Sequence, residues 1–489
     1  MDVKSKTLWG LLLPIIQQDQ TRHQRGLKVM LYNKQLEKYI NVIKVLDLDI
    51  TEDYVNGTSE ERIIKLMLPA GEWAHHVAPY KDFLQVHLAE ADWASILGLS
   101  TKEQVVYHNY RAIPVQIENV IEITGNKVEY TKDKMDLSST VEVDFQLINE
   151  TYEVLRKTHV STIYRNALPM DATIAMLTNA SKEACAKAEL DERFHVQGVD
   201  ACKADNEEIQ THMVIPPLQL TDFPQFVQQK AGGLYSSGLG YFFKDYKWWV
   251  YPRNNLDVNS EEPRRMVNMY LVPANVLPGI ERTFLQSENL LEIMITGEAK
   301  VFDNRSIREE NNGTGLLMTK PEVILNDGVK VGNNQAYVNA PKLTVDAAYA
   351  KTGVENTTNR KIQPASSNVY EAYSKLSGNS GVFINVIWQN SKPALIIPGL
   401  YIELHYMVND KLFKRKAVVH KVMHHYSLNG KGTNTMSYLV TTSLMLYTEP
   451  INGDTYTGSS NAGTTKADGS NSKPASSRSA LESIRNLIK

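Results

Sequence analysis

From Leu27 onward, apolar and polar residues alternate in short runs. Leu27 to Tyr32, Tyr39 to Asp49, Arg62 to Leu68 and Phe83 to Leu88 are rich in β-branched, aromatic and leucine positions. Asn56-Gly57 and Pro69-Ala70-Gly71 break the series where the chain must turn. Runs of this length and punctuation predict consecutive antiparallel strands. A further strand from Gln104 to Arg111 is expected to close them into a small barrel, because closure removes strand edges that would otherwise pair with other chains.

Ile113 to Tyr130 and Val141 to Ile148 continue as strands around Gly125-Asn126, and the period then changes. Asp171 to Leu190 reads as a helix, with Asp171 as N-cap after Pro169 and with Ile174, Leu177 and Cys185 near one face. A second helix is expected from Thr221 to Gln229, followed by a glycine-rich stretch. An aromatic hairpin then runs from Tyr241 to Tyr251 and turns at Lys244 to Tyr246. Met266 to Val272 and Leu290 to Thr296 are further strands. Gly297 to Gln363 is rich in Asn, Gly, Thr and Lys and reads as an insertion. After a short helix from Asn368 to Ser377, a second strand series comprises Val382 to Trp388, Tyr401 to Val408, Phe413 to His425 and Thr435 to Tyr447. Asn452 to Arg478 has almost no apolar residue and reads as a tether. At its end Ser479-Ala480-Leu481-Glu482 fits a capping box, and Leu481, Ile484, Leu487 and Ile488 form one apolar face. Eleven residues are too few for a stable isolated helix, so this face is expected to dock on a partner.

The chain has 489 residues, too many for one core. Its apolar fraction of 42% and charged fraction of 22% are ordinary for a folded protein. With 52 basic and 55 acidic residues, the formal net charge of -3 gives no global field to draw nucleic acid or an anionic membrane. Two cysteines, Cys185 and Cys202, make neither a disulfide framework nor a four-ligand zinc site. The apolar run Leu11 to Ile16 is short and broken by Pro14, unlike a cleaved signal. No run approaches the roughly 20 apolar residues of a membrane helix, so membrane insertion is not expected.

Candidate chemistry is sparse. His75-His76 and His424-His425 are adjacent pairs, and neighbours in a strand face opposite ways, so neither pair suits one ion. The loop Gly232 to Gly240 lacks the lysine of a phosphate loop and precedes a strand. Asp47, Asp49, Glu52 and Asp53 lack the spacing of a calcium loop. Lys411, Lys414, Arg415 and Lys416 form a basic hairpin, either solvated or able to touch nucleic acid without sequence preference. No catalytic residue, cofactor or metal is expected.

Three stretches resemble the baseplate hub family of contractile-tailed bacteriophages. Ile397-Pro398-Gly399-Leu400-Tyr401-Ile402-Glu403-Leu404, followed by a polar hairpin, Ala417 to His425 and the threonine-rich strand Thr435 to Thr442, is similar to that family's pattern. Ser161 to Ile174 looks like its lead into a central helix, and Phe223 to Val250 like its helix, glycines and aromatic strand pair. The resemblance spans about three quarters of the chain. It implies a mainly β fold with an α/β portion: two small tudor-like antiparallel β-barrels per chain plus an inserted α/β domain. The expected division is an N-terminal segment 1-26, a first barrel 27-112, an α/β domain 113-255, a second barrel 256-300 with 375-450, an insertion 301-374, a linker 451-478 and a docking helix 479-489.

The function so implied is that of a homotrimeric ring of pseudo-sixfold symmetry in the tail baseplate of a virion, made in the host cytoplasm. It would join the tail-tube protein to the central spike protein, contact the surrounding baseplate wedge proteins and let DNA pass through its lumen. Two other classes compete: a carbohydrate- or receptor-recognising virion protein using Trp248 and Trp249 as an exposed platform, and a cell-wall hydrolase of the tail.

Overall fold

The computed structural model describes residues 8–18, 24–115 without 102, 140–256, 266–272, 282–302 without 288–289 and 297–298, and 382–448 without 409–410 and 430–436. It also describes Tyr370 and short strand pieces at 123–124, 127–128, 317–318, 330–332, 335–337 and 362–363. The fold is mainly β, with one large mixed sheet and several helices.

Two β units share a single long hairpin. In the first, all pairings are antiparallel. Arg25–Asn33 pairs with Leu84–Asp92, which pairs with Tyr107–Pro114, which pairs with Thr140–Asn149. Glu61–Pro69 and Lys44–Asp53 follow, and the latter lies against the distal half of Lys411–Leu428. That strand pairs with Ser437–Thr448, whose first residues return to the start through Arg25↔Tyr438 and Gly26↔Ser437. The circuit of hydrogen-bonded neighbours therefore comes back on itself. The strand expected to close it, Gln104 to Arg111, falls at Tyr107–Pro114 and lies between Leu84–Asp92 and Thr140–Asn149, and the C-terminal hairpin supplies the link between Arg25–Asn33 and Lys44–Asp53. Alternation along one strand cannot reveal this, because the partner lies more than three hundred residues away. Leu31, Leu48, Ile64, Leu66, Val86 and Phe145 point into this core.

The second unit uses the other half of the same hairpin. Val382–Trp388 pairs with Ser437–Thr448, and Lys300–Phe302 lies outside it. On the opposite flank Tyr401–Val408 pairs with Lys411–Leu428, followed by Met266–Leu271, Leu290–Ile295 and Phe284–Gln286. Met266–Leu271 runs parallel to both its neighbours, so this unit is mixed where an antiparallel one was expected. Parallel neighbours need a crossover, and the segment joining Leu271 to Leu290 supplies one. Its core centres on Trp388, whose indole N–H donates to Thr283 Oγ1 at 2.8 Å and whose ring meets Phe284 edge-on at 5.7 Å.

A third core belongs to the helical region. The helix Pro169–Lys187 opens on Pro169 with Leu168 as N-cap, so Asp171, expected to cap it, lies in the first turn instead. Proline is well suited to that place, since the first-turn N–H groups have no intrahelical partner. Leu177, Ala184 and Cys185 pack against Phe223 and Val227 of the helix Phe223–Lys230, and against Trp248. The two-stranded ribbon His159–Ala167 with Gln210–Gln219 lays one face on this core through Met213 and Ile215. At the N-terminal side the helix Leu8–Gln17 turns Leu8, Leu12 and Ile15 onto Tyr270, Val272 and Met294 of the second β unit. The insertion 301-374, the helix Asn368 to Ser377 and the linker 451-478 lie almost wholly outside the described residues.

Candidate functional site

The densest polar arrangement lies where the aromatic hairpin meets the β units. Its strands, Leu239–Lys244 and Lys247–Pro252, are joined by Asp245 and Tyr246, both with positive φ (52° and 57°). That conformation matches the twist of a two-residue hairpin turn and presents the tip compactly. Phe243 N–H donates to Thr58 O at 2.8 Å, so the hairpin docks through backbone as well as side chains.

Lys244 extends from this tip into a site where only 7% of its side chain is exposed. Its Nζ lies 2.7 Å from Glu52 Oε1 and donates to Ile396 O at 2.9 Å. Tyr54 O–H donates to the same carboxylate. Burial works against both charges: it raises the pKa of the Glu52 carboxyl, while on the Lys244 ammonium it is overcome by Glu52, Asp245 and Glu60 together, which raise the Lys244 pKa. Glu52 points inward because it continues the alternation of Leu48 and Ile50. Nearby, Arg62 grips Glu60 with two hydrogen bonds of 2.8 and 2.9 Å and lies over the Tyr110 ring. Burial pushes the Glu60 carboxyl up, but Arg62 outweighs it and holds the pKa below the usual range. Tyr246 stacks on His108, with O–H to Nδ1 at 3.1 Å.

A second buried charge marks the seam that completes the first circuit. Arg25, 2% exposed, sits at the start of its strand, 2.7 Å from Glu103 and 3.1 Å from Glu90. In both clusters each charge is met by an opposite charge or a hydrogen bond. The arrangement is suited to fixing the relative placement of three cores, and it presents no nucleophile beside a base.

The residues singled out by sequence separate in the structure. His424 is buried and shares a 2.7 Å hydrogen bond with Thr442, whereas His425 faces solvent 2.6 Å from Asp49. His75 and His76 lie in a single wide helical turn rather than a strand, and His76 approaches Glu72 at 3.8 Å. Glu52 faces the core, while Asp53 accepts from the Val55 and Asn56 amides. Among the described residues no group of three or more His, Cys, Asp or Glu side chains is placed to hold a metal ion, and no helix is long and apolar enough to cross a membrane.

In the glycine-rich loop, the Leu234 and Tyr235 amides donate to Gln228 Oε1, so the loop is braced from within. Trp248 is fully buried and donates to Ser181, and Trp249 is 9% exposed. These rings belong to cores, which removes the exposed platform on which the recognition reading relied. Lys414 of the basic hairpin is exposed and 3.5 Å from Glu403. The docking face Leu481, Ile484, Leu487 and Ile488 lies outside the described residues. The buried ion pairs were missed by the sequence reading, although a lone Glu52 at an inward-facing strand position is a signal for one.

No family model matches the sequence, and no curated protein matches it. The structure is similar over most of the chain to phage tail proteins. The tail protein from Neisseria meningitidis MC58 aligns with a TM-score of 0.44 at 9% identity, over 86% of this chain and 96% of that one. The 43 kDa tail protein of prophage MuSo2 from Shewanella oneidensis aligns at 0.42 and 8%, again over 86% and 96%. The E. coli c3393 protein, described as a type VI secretion system component with structural similarity to the T4 tail proteins gp27 and gp5, aligns at 0.36 and 9%, over 85% and 76%.

Proposed function

We propose that this protein is a structural hub of a contractile tail's baseplate, joining a tail-tube protein to a central spike. The observation that carries the reading is the pair of β units built around one shared hairpin. A sixfold tube meeting a threefold spike needs an adaptor in which each of three chains offers two comparable modules. Two small tudor-like barrels per chain would meet that need, and a shared hairpin fixes their spacing. The buried pair Lys244–Glu52 supports the same role, since with the Lys244 bond to Ile396 O it locks the aromatic hairpin against both β units in a part that must bear load. The division into barrels, α/β domain, insertion, linker and docking helix, the wedge contacts and the passage of DNA through a lumen belong to this proposal, as does a place in the virion tail. No residue is assigned catalysis.

The mass of the purified protein in solution, by light scattering, tests the reading. A trimer alone, or a three-to-three complex with the spike encoded beside it, is the expected result. A monomer that ignores the spike at every concentration would overturn it.

A further inference from the structure

Two surfaces of this chain carry exposed apolar residues, and their charges are opposite. The ribbon His159–Ala167 with Gln210–Gln219 turns its outer face to solvent. Ile163 and Val214 stand directly opposite each other there, 59% and 61% exposed. Arg165 and His212 form the next pair on the same face. Neither strand contains an acid or a lysine, so Arg165 is the ribbon's one permanent charge.

The second surface is the outer face of the first β unit. Ile63 lies between Asp49 and Gln146 across the sheet, and the adjoining row is Asp47, Lys65 and Asp144. Ile63 and Met423 are both more than 40% exposed. Two basic side chains meet these acids, Lys65 at 3.9 Å from Asp144 and 4.0 Å from Glu142, and His425 at 2.6 Å from Asp49, against the four carboxylates Asp47, Asp49, Glu142 and Asp144. Partial burial raises the Asp47 pKa, with Lys65 and His425 opposing the shift and Asp49 and Asp144 adding to it; the acids on this face outnumber the bases that meet them.

We propose that the ribbon of one copy seats on this acidic sheet face of a second copy, Ile163 and Val214 against Ile63 and Met423, with Arg165 among Asp47, Asp49 and Asp144. The inference rests on the oligomeric hub reading and names the contact that builds it. The two surfaces differ, so the contact is heterologous, and a joined pair keeps a free sheet face on one copy and a free ribbon on the other. Such a contact repeats rather than stopping at a twofold dimer, and it closes into a ring where its rotation is one third of a turn, as the trimeric hub reading requires.

The test uses the full-length chain. Arg165→Glu with Val214→Asp spoils the ribbon, and Asp49→Arg with Asp144→Arg spoils the face. All four positions lie at the surface, and the unchanged near-ultraviolet circular dichroism expected of each variant reports intact packing. Ile163→Ser with Val214→Ser is a milder ribbon variant that adds no charge. Each spoiled variant is expected to need about tenfold or more protein for half-assembly, as is typical when like charges are opposed at a contact. Mixed one to one, the uncharged ribbon variant Ile163→Ser with Val214→Ser and the face variant are expected to form heterodimers through the one intact contact, without rings. Combining both sets of charge reversals in one chain should restore assembly. A trimeric wild type whose variants assemble as it does overturns this contact and leaves the hub reading standing. Variants that instead lose only spike binding overturn it in favour of a spike-facing surface. A wild type that is monomeric at every concentration overturns both.

Discussion

Lys244 and Glu52 are held in a site with almost no solvent, and the consequence is asymmetric. Removing one partner leaves the other charge buried without compensation, which typically costs about 3–5 kcal/mol, whereas replacing both with apolar residues of similar volume is often neutral. Lys244→Met is therefore expected to lower unfolding stability by that amount in urea titration, and Lys244→Met with Glu52→Leu to recover most of it. Histidines give a second prediction at this scale. Burial lowers the His420 pKa to about 3 and the His405 pKa to about 4, and holds that of His424 well below its usual value. In the unfolded chain these rings protonate near pH 6.5. Below that pH the unfolded state binds protons that the native state refuses, so stability falls as pH drops from about 6.5 towards the native values. At pH 5 each ring contributes a loss of about 2 kcal/mol. Burial raises the pKa of the Glu52 and Asp47 carboxyls, which works in the opposite sense, so the histidine share is read as the difference in thermal midpoint between wild type and a histidine variant over pH 7 to 5. His405→Phe keeps the ring contact with Tyr270 and is expected to reduce the pH dependence by one histidine's share.

At the scale of elements, Tyr251 shows why the turn Pro398-Gly399 and Gly240, within the aromatic strand Leu239–Lys244, are needed. A Cβ on Gly240 would stand 2.1 Å from the Tyr251 ring, and one on Gly399, where φ is +69°, would stand 2.6 Å from it. The ring lies against both backbones, and its O–H donates to Tyr54 O at 3.2 Å. Gly240→Ala is expected to force the ring aside and cost about 1–3 kcal/mol, the usual range for overpacking a core. Tyr251→Leu in the same chain should return part of that loss, as measured by thermal unfolding. Most strands of the first unit, the aromatic hairpin and both central helices were legible in the sequence, because period 2, period 3.6 and turn residues are local signals. Helix starts were less so: Asp171 has a capping chemistry, but Pro169 already fits the first turn. Pairing was not legible. Nothing near Tyr107 tells that its strand lies between Leu84–Asp92 and Thr140–Asn149, and nothing near Met266 tells that its neighbours run parallel. The buried ion pairs were half legible, since Glu52 sits in an inward register while Lys244 looks like an ordinary turn residue.

At the scale of the molecule, the hairpin Lys411–Leu428 with Ser437–Thr448 decides how the β units respond to stress. Val419, Val422, Leu444 and Leu446 fill the second core, while Tyr426, Tyr438 and Val440 fill the first. The two cores are thus consecutive stretches of the same two strands, and neither can lose its hairpin without disturbing the other. Independent domains would unfold separately, with protection from hydrogen exchange set by each domain's own stability. Here the strands Glu61–Pro69 of the first unit and Val382–Trp388 of the second are expected to exchange with the same opening free energy. Leu446→Ala, a truncation in the second core, should cost about 2–5 kcal/mol. It should lower protection in Glu61–Pro69 by the same amount, although no residue of that strand belongs to the core it alters. Hydrogen exchange read by mass spectrometry on peptides from the two strands checks this. Equal losses mean one cooperative body able to carry force from one face of the β region to the other. A loss confined to Val382–Trp388 means that the hairpin bends freely between the units, and that rigidity would have to come from neighbouring copies.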